Sequence, residues 1–407
     1  MKYVIIVGDG MADYPIEVLG GRTPLMAARK PAMDLIAQRG RTGRFRTIPE
    51  NCPTGSAVAN LSILGYDSRQ IFNDGEGRGV LEAASLGISL QAEDLALRVN
   101  LITLENGAIR SHSAGHIGNE EAHALIRDAQ SHFQGWNLQL FPGLGYRHLL
   151  IVPNGEEALE CFPPHNYLDK PFVPLMVKPL HPAATPTADL LNRMILESQT
   201  FLQAHPINKQ REENGKQPAN SLWPWAPGKR PRMETLGKRF GITGAVITAV
   251  DLIKGMAIYA GMEVIPVEGA TGFYDTNYEG KADAALAALT AYDLVYVHVE
   301  APDEAGHERD LDLKIRCIED LDRRLIRRIL EGLAGQGIRA VVALLPDHPT
   351  PIVHGAHTRD PVPIAIWDPR AEPDSVLVYD EQSTHSGSLG LMQGAEFIET
   401  VLAITHK

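Results

Sequence analysis

Cysteines are scarce in this sequence and long hydrophobic runs are missing, and each shortage argues against a class of protein. Only three cysteines occur among 407 residues, Cys52, Cys161 and Cys317, and none forms a CxxC pair. This sparse, odd number argues against a disulfide framework and a zinc–thiolate site, and it predicts a reducing, cytoplasmic location. No stretch of 18 apolar residues is present. We therefore expect neither a transmembrane helix nor a membrane partner.

Positive charge is also in short supply. The chain carries 38 Lys and Arg against 50 Asp and Glu, which gives a formal net charge of −12. Because nucleic-acid phosphates are bound by clustered Lys and Arg, this balance argues against a nucleic-acid partner. A small phosphorylated ligand is compatible with it, since a few arginines in one pocket suffice to bind phosphate. The length exceeds that of one ordinary core and predicts two domains.

Three short apolar runs end at acidic residues. The runs at 4–7, 292–299 and 340–345 are followed by Asp9, Glu300 and Asp347. Continuous apolar strands that alternate with helical patterns predict an α/β fold with a parallel sheet flanked by helices. Open sheets of this kind bind ligands at the carboxyl ends of their strands. We therefore expect these acidic residues to meet at one edge.

Two longer segments carry less distinct signals. Residues 200–235 are rich in Pro, Asn, Trp and basic residues without a clear period, so we expect a linker or an ordered loop there. Residues 311–333 have apolar residues at helical spacing and alternating charges, which predicts a surface helix with one solvated face.

Asp and His recur late in the chain at spacings that suit metal ligands. Asp303 and His307 are four residues apart and face the same way if that segment is helical. Asp347 and His348 directly follow a predicted strand, where neighbouring side chains could reach two metal ions. The alternatives are an exposed polar loop for the first pair and an Asp–Pro turn for the second.

Two further histidines, His354 and His357, follow in a glycine-containing loop. A single histidine is more often structural than a ligand, but four polar groups within eleven residues favour a metal site here. Asp and His ligands without thiolate suit Mn, Zn or Fe better than Mg alone.

Ser56 follows Gly55 and precedes an apolar stretch that has a helical pattern. The glycine permits a tight turn that exposes the hydroxyl, and a serine at a helix N-terminus lies at the positive end of the dipole, which favours phosphate. On this local pattern alone, a plain N-cap serine is the better interpretation.

Several longer motifs then occur in one order: GDGMADYP, PTGSAVANLSILGYD, NSLWPWAPGKRPRM, GATGFYDTNYEGKA, PDEAGHE, PDH and HxxDPVP. Over essentially the whole chain they resemble the 2,3-bisphosphoglycerate-independent phosphoglycerate mutases of the archaeal type, in the alkaline phosphatase superfamily. The resemblance implies an alkaline-phosphatase-like core with an inserted, smaller α+β lid domain. The expected metal-binding catalytic domain comprises 1–75 and 235–407, and the insertion comprises 76–234.

The resemblance also implies a role for each motif residue. The expected ligands of a first divalent metal ion are Asp9, Ser56, Asp347 and His348. The expected ligands of a second ion are Asp303, His307 and His357, which leaves His354 as a loop residue. Ser56 is further expected to be the nucleophile that becomes phosphoserine while 2- and 3-phosphoglycerate interconvert in glycolysis and gluconeogenesis. Mn²⁺ is the expected ion, with Zn²⁺, Co²⁺ or Mg²⁺ as alternatives, and no bisphosphoglycerate is required.

The resemblance further implies basic residues that bind the substrate's phosphate and carboxylate, groups that guanidinium binds bidentately. The candidates are His116, Arg147, Arg230, Arg232 and Lys238. One departure concerns the position after the nucleophile, which is commonly acidic in this family and is Ala57 here. A sub-branch with a WPWAPG-like stretch also resembles bacterial proteins proposed to be homoserine kinases. That activity in threonine biosynthesis, or a related phosphotransferase, is the alternative; the lid segment argues against an open phosphatase.

Overall fold

The chain divides into two compact units. The computed structural model describes residues 1–72 and 77–403. Met1–Ile71 and Met233–Lys407 form the first unit, and Phe72–Arg232 form the second. The expected boundary between residues 75 and 76 lies outside the described residues. The other expected boundary, between 234 and 235, falls two residues after the second unit ends at Arg232.

The described residues form fifteen strands and fifteen α-helices. The strands are β1 (Lys2–Gly8), β2 (Arg41–Arg46), β3 (Leu95–Glu105), β4 (Ala108–Ser111), β5 (Gln139–Phe141), β6 (Arg147–Val152), β7 (Leu159–Glu160), β8 (Lys178–Pro179), β9 (Ser221–Lys229), β10 (Gly244–Ile247), β11 (Glu263–Val264), β12 (Leu294–Val299), β13 (Ala340–Leu345), β14 (Val362–Trp367) and β15 (Gly390–Gln393). The helices are α1 (Pro24–Ala27), α2 (Pro31–Arg39), α3 (Ser56–Ile63), α4 (Ser68–Ile71), α5 (Arg78–Ser85), α6 (Asn119–His132), α7 (Thr185–Ala204), α8 (Pro206–Glu213), α9 (Leu236–Phe240), α10 (Asp251–Tyr259), α11 (Tyr278–Ala288), α12 (Ala301–His307), α13 (Leu311–Asp320), α14 (Arg327–Gly335) and α15 (Glu396–Leu402).

The first unit contains a sheet of eight strands in the order β11–β10–β12–β1–β13–β14–β2–β15. The predicted α/β class is confirmed, and all three predicted strands are present as β1, β12 and β13. The five strands from β11 to β13 run parallel, whereas β14 runs antiparallel to both of its neighbours. The sheet is therefore mixed. The connection from β13 to β14, residues 346–361, contains none of the helices that usually link parallel strands.

The central strands of this sheet are covered on both faces. All four residues from Val4 to Val7 in β1 are completely buried, although successive side chains point to opposite faces. One hydrophobic core packs residues of α2, α11, α13 and α14 against alternate residues of β1, β12 and β13. This two-sided burial explains why these strands are continuous apolar runs in the sequence.

The predicted helix at 311–333 is confirmed as one continuous helical stretch with an irregular centre. Between α13 and α14, residues Leu321–Ile326 form a π-helical turn. Asp322 in this turn is buried, and its carboxylate accepts hydrogen bonds from the backbone N–H groups of Met33 and Ala32 at the start of α2. A side chain from a distant element thus caps that helix.

The second unit is built on an antiparallel sheet in the order β4–β3–β6–β5, with β9 on the other side of β3. The expectation of a loop or linker at 200–235 is wrong, because this segment contains the end of α7, all of α8 and all of β9. Trp223 and Trp225 are buried in the core of this unit. Pro224 and Pro227 obscure the strand in the sequence, but prolines are tolerated because β9 is an edge strand, paired among the described residues with β3 alone.

Candidate metal centre

Parallel strands deliver the acidic residues of the first unit to a single edge of its sheet. β1 lies between β12 and β13 and runs parallel to both, so the carboxyl ends of the three strands are adjacent. Asp9 follows β1, Glu300 follows β12, and Asp347 follows β13. Asp9, Asp303 and Asp347 are each at most 3% exposed. The edge predicted from the sequence therefore exists, and it gathers several carboxylates in a buried place.

Ser56 is the first residue of α3 and is not its N-cap. Gly55 occupies the cap position and makes no side-chain cap hydrogen bond, so the N-cap interpretation of the serine is wrong. The Ser56 hydroxyl instead lies 3.2 Å from Nε2 of His348. The hydroxyl is thus directed at the acidic edge while it remains at the positive end of the helix dipole.

Asp347 is held in place by a buried hydrogen-bond network. Its Oδ1 accepts from the backbone N–H groups of Gly10 at 3.2 Å and of His348 at 2.9 Å. Its Oδ2 accepts from the side-chain amide of Asn60 at 2.8 Å. Asn60 in turn accepts a short hydrogen bond from the Tyr296 hydroxyl. These contacts fix the carboxylate, as the outer contacts of metal ligands commonly do.

Asp9, unlike Asp347, has no hydrogen-bond donors around its carboxylate in the part of the chain that the structure describes. Its side chain is completely buried, and neither carboxylate oxygen has a hydrogen-bond partner among the described residues. Burial raises the pKa of Asp9 well above its ordinary value, and the nearby charges of Asp347 and Asp303 raise it further. A buried carboxylate without donors is costly unless a cation or proton is bound. The surroundings of Asp9 therefore fit a metal ligand.

Asp303, His307 and His357 form a second cluster. Both Asp303 and His307 lie on α12, and His307 Nε2 is 3.1 Å from Asp303 Oδ2, so the predicted helical spacing is confirmed. His307 Nε2 is also 2.9 Å from His357 Nε2, while His307 Nδ1 lies 3.0 Å from the carbonyl oxygen of Gly355. A proton on Nδ1 donates to that carbonyl, and Nε2 becomes available to a metal ion when it gives up the proton directed at Asp303.

The residues of this second cluster change one another's pKa values. Burial by itself would raise the pKa of Asp303, but hydrogen bonds from His307 and His357 bring it well below the ordinary value. The hydrogen bond to Asp303 raises the pKa of His307 to about 9. The carboxylate is therefore ionised and available to a cation.

His348 lies between the two clusters. Its Nε2 is 3.5 Å from both Asp9 Oδ1 and Asp347 Oδ2, and its ring stacks on that of His357 with centroids 3.9 Å apart. Three groups of residues each bring their ligand atoms to within 4.8 Å of one another in the described residues: Asp303, His348 and His357; Asp9, His298 and Asp347; and Asp9, Glu300 and Asp303. All seven expected ligands thus meet in one region, but these groups overlap rather than dividing into the two expected sets.

The motif GDGMADYP requires glycine at its third position, Gly10. Gly10 adopts a left-handed φ of 59°, and a Cβ atom there would overlap Asp303 Oδ1 and approach Thr350 Oγ1 to 2.7 Å. Only glycine lets the chain turn after Asp9 while Asp303 packs against it.

The candidate substrate binders are all exposed, and four of the five lie in the second unit. Arg147 begins β6, and its guanidinium lies over the ring of Tyr146 at 5.6 Å. His116 has a left-handed φ of 55° in the loop before α6. Arg230 and Arg232 follow β9 at the end of the second unit, whereas Lys238 lies on α9 of the first.

Two histidines near these binders were not singled out in the sequence. His112 lies edge-on to Tyr146 with ring centroids 5.5 Å apart, and it is 6.2 Å from His165 and 6.5 Å from His116. His112 could have been noticed because it shares the SHSAGH motif with His116. His165 lies in no such motif, and it is near His112 because of the way the chain folds.

In the first unit, His298 was missed in the sequence, and Glu300 was expected at the acidic edge but not as a ligand. His298 and Glu300 flank the end of β12, and burial lowers the pKa of His298 to about 4 and raises that of Glu300 to about 8. His354, in contrast, packs its ring edge-on against Tyr14 at 5.7 Å. Ala57 is buried in α3, so a carboxylate at this position would lie in the protein interior.

Comparison with known proteins agrees with this geometry. Residues 1–402 match the family model described as the metalloenzyme superfamily. A 2,3-bisphosphoglycerate-independent phosphoglycerate mutase from Methanosarcina acetivorans is 48% identical over 99% of this chain and 100% of its own length.

Two solved structures are similar over the whole chain. A protein from Pyrococcus horikoshii matches with a TM-score of 0.85 and 30% identity, covering 100% of this chain and 98% of its own. The cofactor-independent phosphoglycerate mutase from Thermoplasma acidophilum matches with a TM-score of 0.71 and 28% identity, covering 100% of both chains. Among the described residues, no helix is long and apolar enough to cross a membrane. The chain belongs to the metalloenzyme superfamily and, within it, to the 2,3-bisphosphoglycerate-independent phosphoglycerate mutases.

Proposed function

We propose that this chain interconverts 2-phosphoglycerate and 3-phosphoglycerate through a phosphoserine at Ser56, with the help of two divalent metal ions. The observation that carries the proposal is the position of the Ser56 hydroxyl, 3.2 Å from His348 at an edge crowded with buried carboxylates. The activity in the name of the Methanosarcina relative supports the choice of substrate.

The proposed ligand sets keep the two-site division that the family resemblance implies. One ion is held by Asp9, Ser56, Asp347 and His348. The other is held by Asp303, His307 and His357. Carboxylate and imidazole donors without thiolate suit Mn²⁺, which we propose as the ion, with Zn²⁺, Co²⁺ or Mg²⁺ as alternatives. When bound, these ions supply positive charge that stabilises the Ser56 alkoxide and the oxygens of the phosphoryl group.

The reaction consists of two successive transfers of the phosphoryl group. The Ser56 hydroxyl gives up its proton as Oγ attacks the phosphorus of 3-phosphoglycerate, and the bond between phosphorus and O3 breaks with its electron pair on O3, which takes up a proton. The 2-hydroxyl of the retained glycerate then loses a proton and attacks phosphoserine. The bond between phosphorus and Ser56 Oγ breaks with its electron pair on Oγ, which takes up a proton. No phosphate is gained or lost, so bisphosphoglycerate is not needed.

The chain's own residues position these groups. Asn60 donates both to Asp347 and to the carbonyl oxygen of Ser56, and it thereby fixes the nucleophile relative to one ligand. We propose that the second unit is the inserted lid domain, which retains glycerate and keeps water from phosphoserine. His116, Arg147, Arg230, Arg232 and Lys238 are the proposed binders of phosphate and carboxylate. The proposed location is the cytoplasm, in keeping with three free cysteines.

A coupled assay with 3-phosphoglycerate and Mn²⁺, without bisphosphoglycerate, tests the proposal. We expect Ser56→Ala to lower kcat at least about a thousandfold, because the nucleophile is removed. Ser62→Ala is the matched control, since Ser62 lies on the same helix and its hydroxyl donates to the carbonyl of Val58. Acid-quenched wild type should yield a peptide phosphorylated at Ser56. Mutase activity that survives in Ser56→Ala would contradict the proposal, as would ATP-dependent phosphorylation of homoserine without mutase activity.

A further inference from the structure

His298 is a completely buried histidine within the central sheet of the first unit. It is the fifth residue of β12 and pairs with Val7 of β1, two positions before Asp9. None of the sequence motifs that predicted metal ligands includes it. Its imidazole is nevertheless directed at the acidic edge, where Nε2 lies 3.1 Å from Asp9 Oδ2.

This short distance is not a hydrogen bond. Neither His298 Nε2 nor either oxygen of Asp9 has a hydrogen-bond partner among the described residues, because the carboxylate lies off the direction in which a ring N–H would point. On the other side of the ring, Nδ1 is 3.4 Å from the hydroxyl oxygen of Thr248. That oxygen also accepts from the backbone N–H of Val250 at 3.1 Å.

A neutral imidazole with its proton on Nδ1 fits these contacts. Nδ1 then donates to the Thr248 hydroxyl oxygen, and Nε2, which has no hydrogen-bond partner among the described residues, carries the unshared electron pair. The unshared electron pair of Nε2 then points beside the carboxylate of Asp9, whose Oδ2 is 3.1 Å away. Two electron-rich groups this close together in a dry interior repel, and a cation that both groups bind removes that repulsion.

The spacing of the donors fits a single ion. One ligand atom each from Asp9, His298 and Asp347 lie within 4.8 Å of one another. Donors that surround one ion at about 2.0–2.2 Å are separated by up to roughly 4.4 Å, so only a small shift is needed. The Nδ1 contact to Thr248 resembles the outer contact by which proteins orient ligating histidines.

We propose that His298 is a further metal ligand, which binds through Nε2 the same ion as Asp9 and Asp347. This inference rests on the proposed function, because it adds a residue to the first of the two proposed ligand sets. It predicts that four histidines bind metal directly, whereas the motifs account for His307, His348 and His357 only.

Counting metal-bound imidazole nitrogens tests this inference without reference to activity. The full-length protein would be labelled with ¹⁵N-histidine and saturated with ¹¹³Cd²⁺, and each directly bound ring nitrogen identified by its one-bond ¹⁵N–¹¹³Cd splitting. We expect four split nitrogens in the wild type, three in His298→Gln, and four in the control His385→Gln, whose histidine lies in an exposed turn near the C-terminus. In Mn²⁺ titrations, His298→Gln should lose at least tenfold in affinity for one ion only.

The outcomes separate the two proposals. Three split nitrogens in the wild type, unchanged in His298→Gln, would overturn the inference and leave the proposed function intact. No split nitrogen and no bound ion would overturn both. If His298→Gln does not fold, four split nitrogens in the wild type and three in His298→Asn would still support the inference, whereas three in the wild type would overturn it.

Discussion

Asn60 donates a hydrogen bond from its side-chain amide to Asp347 Oδ2 over 2.8 Å. The same nitrogen donates to the backbone carbonyl of Ser56, also at 2.8 Å, and the side-chain oxygen accepts from Tyr296. One buried side chain thus joins the first turn of α3 to strand β12 and to the loop that follows β13. In the proposed function it holds the nucleophile and a metal ligand at a fixed separation.

This network predicts a graded loss of metal affinity. We expect Asn60→Ala to weaken Mn²⁺ binding about 10- to 100-fold, because Asp347 loses the donor that orients it. Tyr296→Phe should weaken it less, since the amide of Asn60 is kept. The effects should be less than additive in the double variant, because Tyr296 acts only through Asn60. Isothermal titration calorimetry measures all three affinities.

Tyr379→Phe is the matched control. Tyr379 is also completely buried in the first unit, but its hydroxyl donates to the carbonyl of Pro363 instead. We expect this variant to bind Mn²⁺ as the wild type does. Equal losses in Tyr379→Phe and Tyr296→Phe would contradict a specific role of the network.

The substitution Asp9→Asn should have opposite effects on the free energy of unfolding with and without bound metal. In metal-free protein, Asp9→Asn should raise the free energy of unfolding by about 1–3 kcal/mol, because it removes a buried carboxylate that has no donor. The same change should abolish most of the stabilisation by Mn²⁺, since a ligand is lost. Thermal unfolding in EDTA and in Mn²⁺ measures both effects.

Asp368→Asn provides the comparison, because Asp368 is buried but paired with Arg370 at 2.8 Å. It should leave the stabilisation by Mn²⁺ unchanged. If Asp9→Asn destabilised the metal-free protein, the role of Asp9 as an unpaired carboxylate would be refuted.

Lys314 on α13 contacts the two loops that carry proposed metal ligands after β1 and β13. Lys314 Nζ lies 2.8 Å from Asp13 Oδ2, with both side chains fully buried, and it also donates to the carbonyl of Thr350. We expect Lys314→Met to lower the free energy of unfolding by about 3–5 kcal/mol, because the charge of Asp13 is left unpaired. Adding Asp13→Asn should restore part of this loss. Urea unfolding of the metal-free variants measures the coupling, and strict additivity would contradict it.

The sequence predicts the parts of the site that depend on local spacing. Asp9 and Asp347 follow continuous apolar strands, and Asp303 and His307 have the spacing of one helical turn, so both pairs could be placed without a structure. The second unit was harder to predict because prolines interrupt β9, and only its pairing with β3 makes it a strand.

Contacts between distant residues could not be predicted in this way. Asn60 and Asp347 are 287 positions apart, and an asparagine within a helical pattern has no local feature that indicates its partner. His298 lies within an otherwise apolar strand, and its proposed role as a ligand depends on the neighbouring strand β1. Such residues acquire their chemistry from strand order, which a single sequence does not display.

Asp322 should make the protein less stable as the pH rises, whereas a salt-bridged carboxylate makes a protein more stable as the pH rises. Burial raises its pKa to about 6, although the hydrogen bonds from Met33 and Ala32 lower it. The pKa in the folded protein thus exceeds the ordinary value of 3.8, so folding favours the protonated form. This contribution to stability is complete below pH 4 and is lost as the pH rises through about 6.

Asp322→Asn removes this dependence, because the amide stays neutral at every pH. The free energy of unfolding of the variant, minus that of the wild type, should therefore increase by roughly 1–2 kcal/mol between pH 5 and pH 8. Urea unfolding in EDTA at both pH values measures this difference, and taking the difference cancels the titration of all other groups. A difference that stays constant or falls with pH would show that the hydrogen bonds at the start of α2 outweigh the cost of burying the charge.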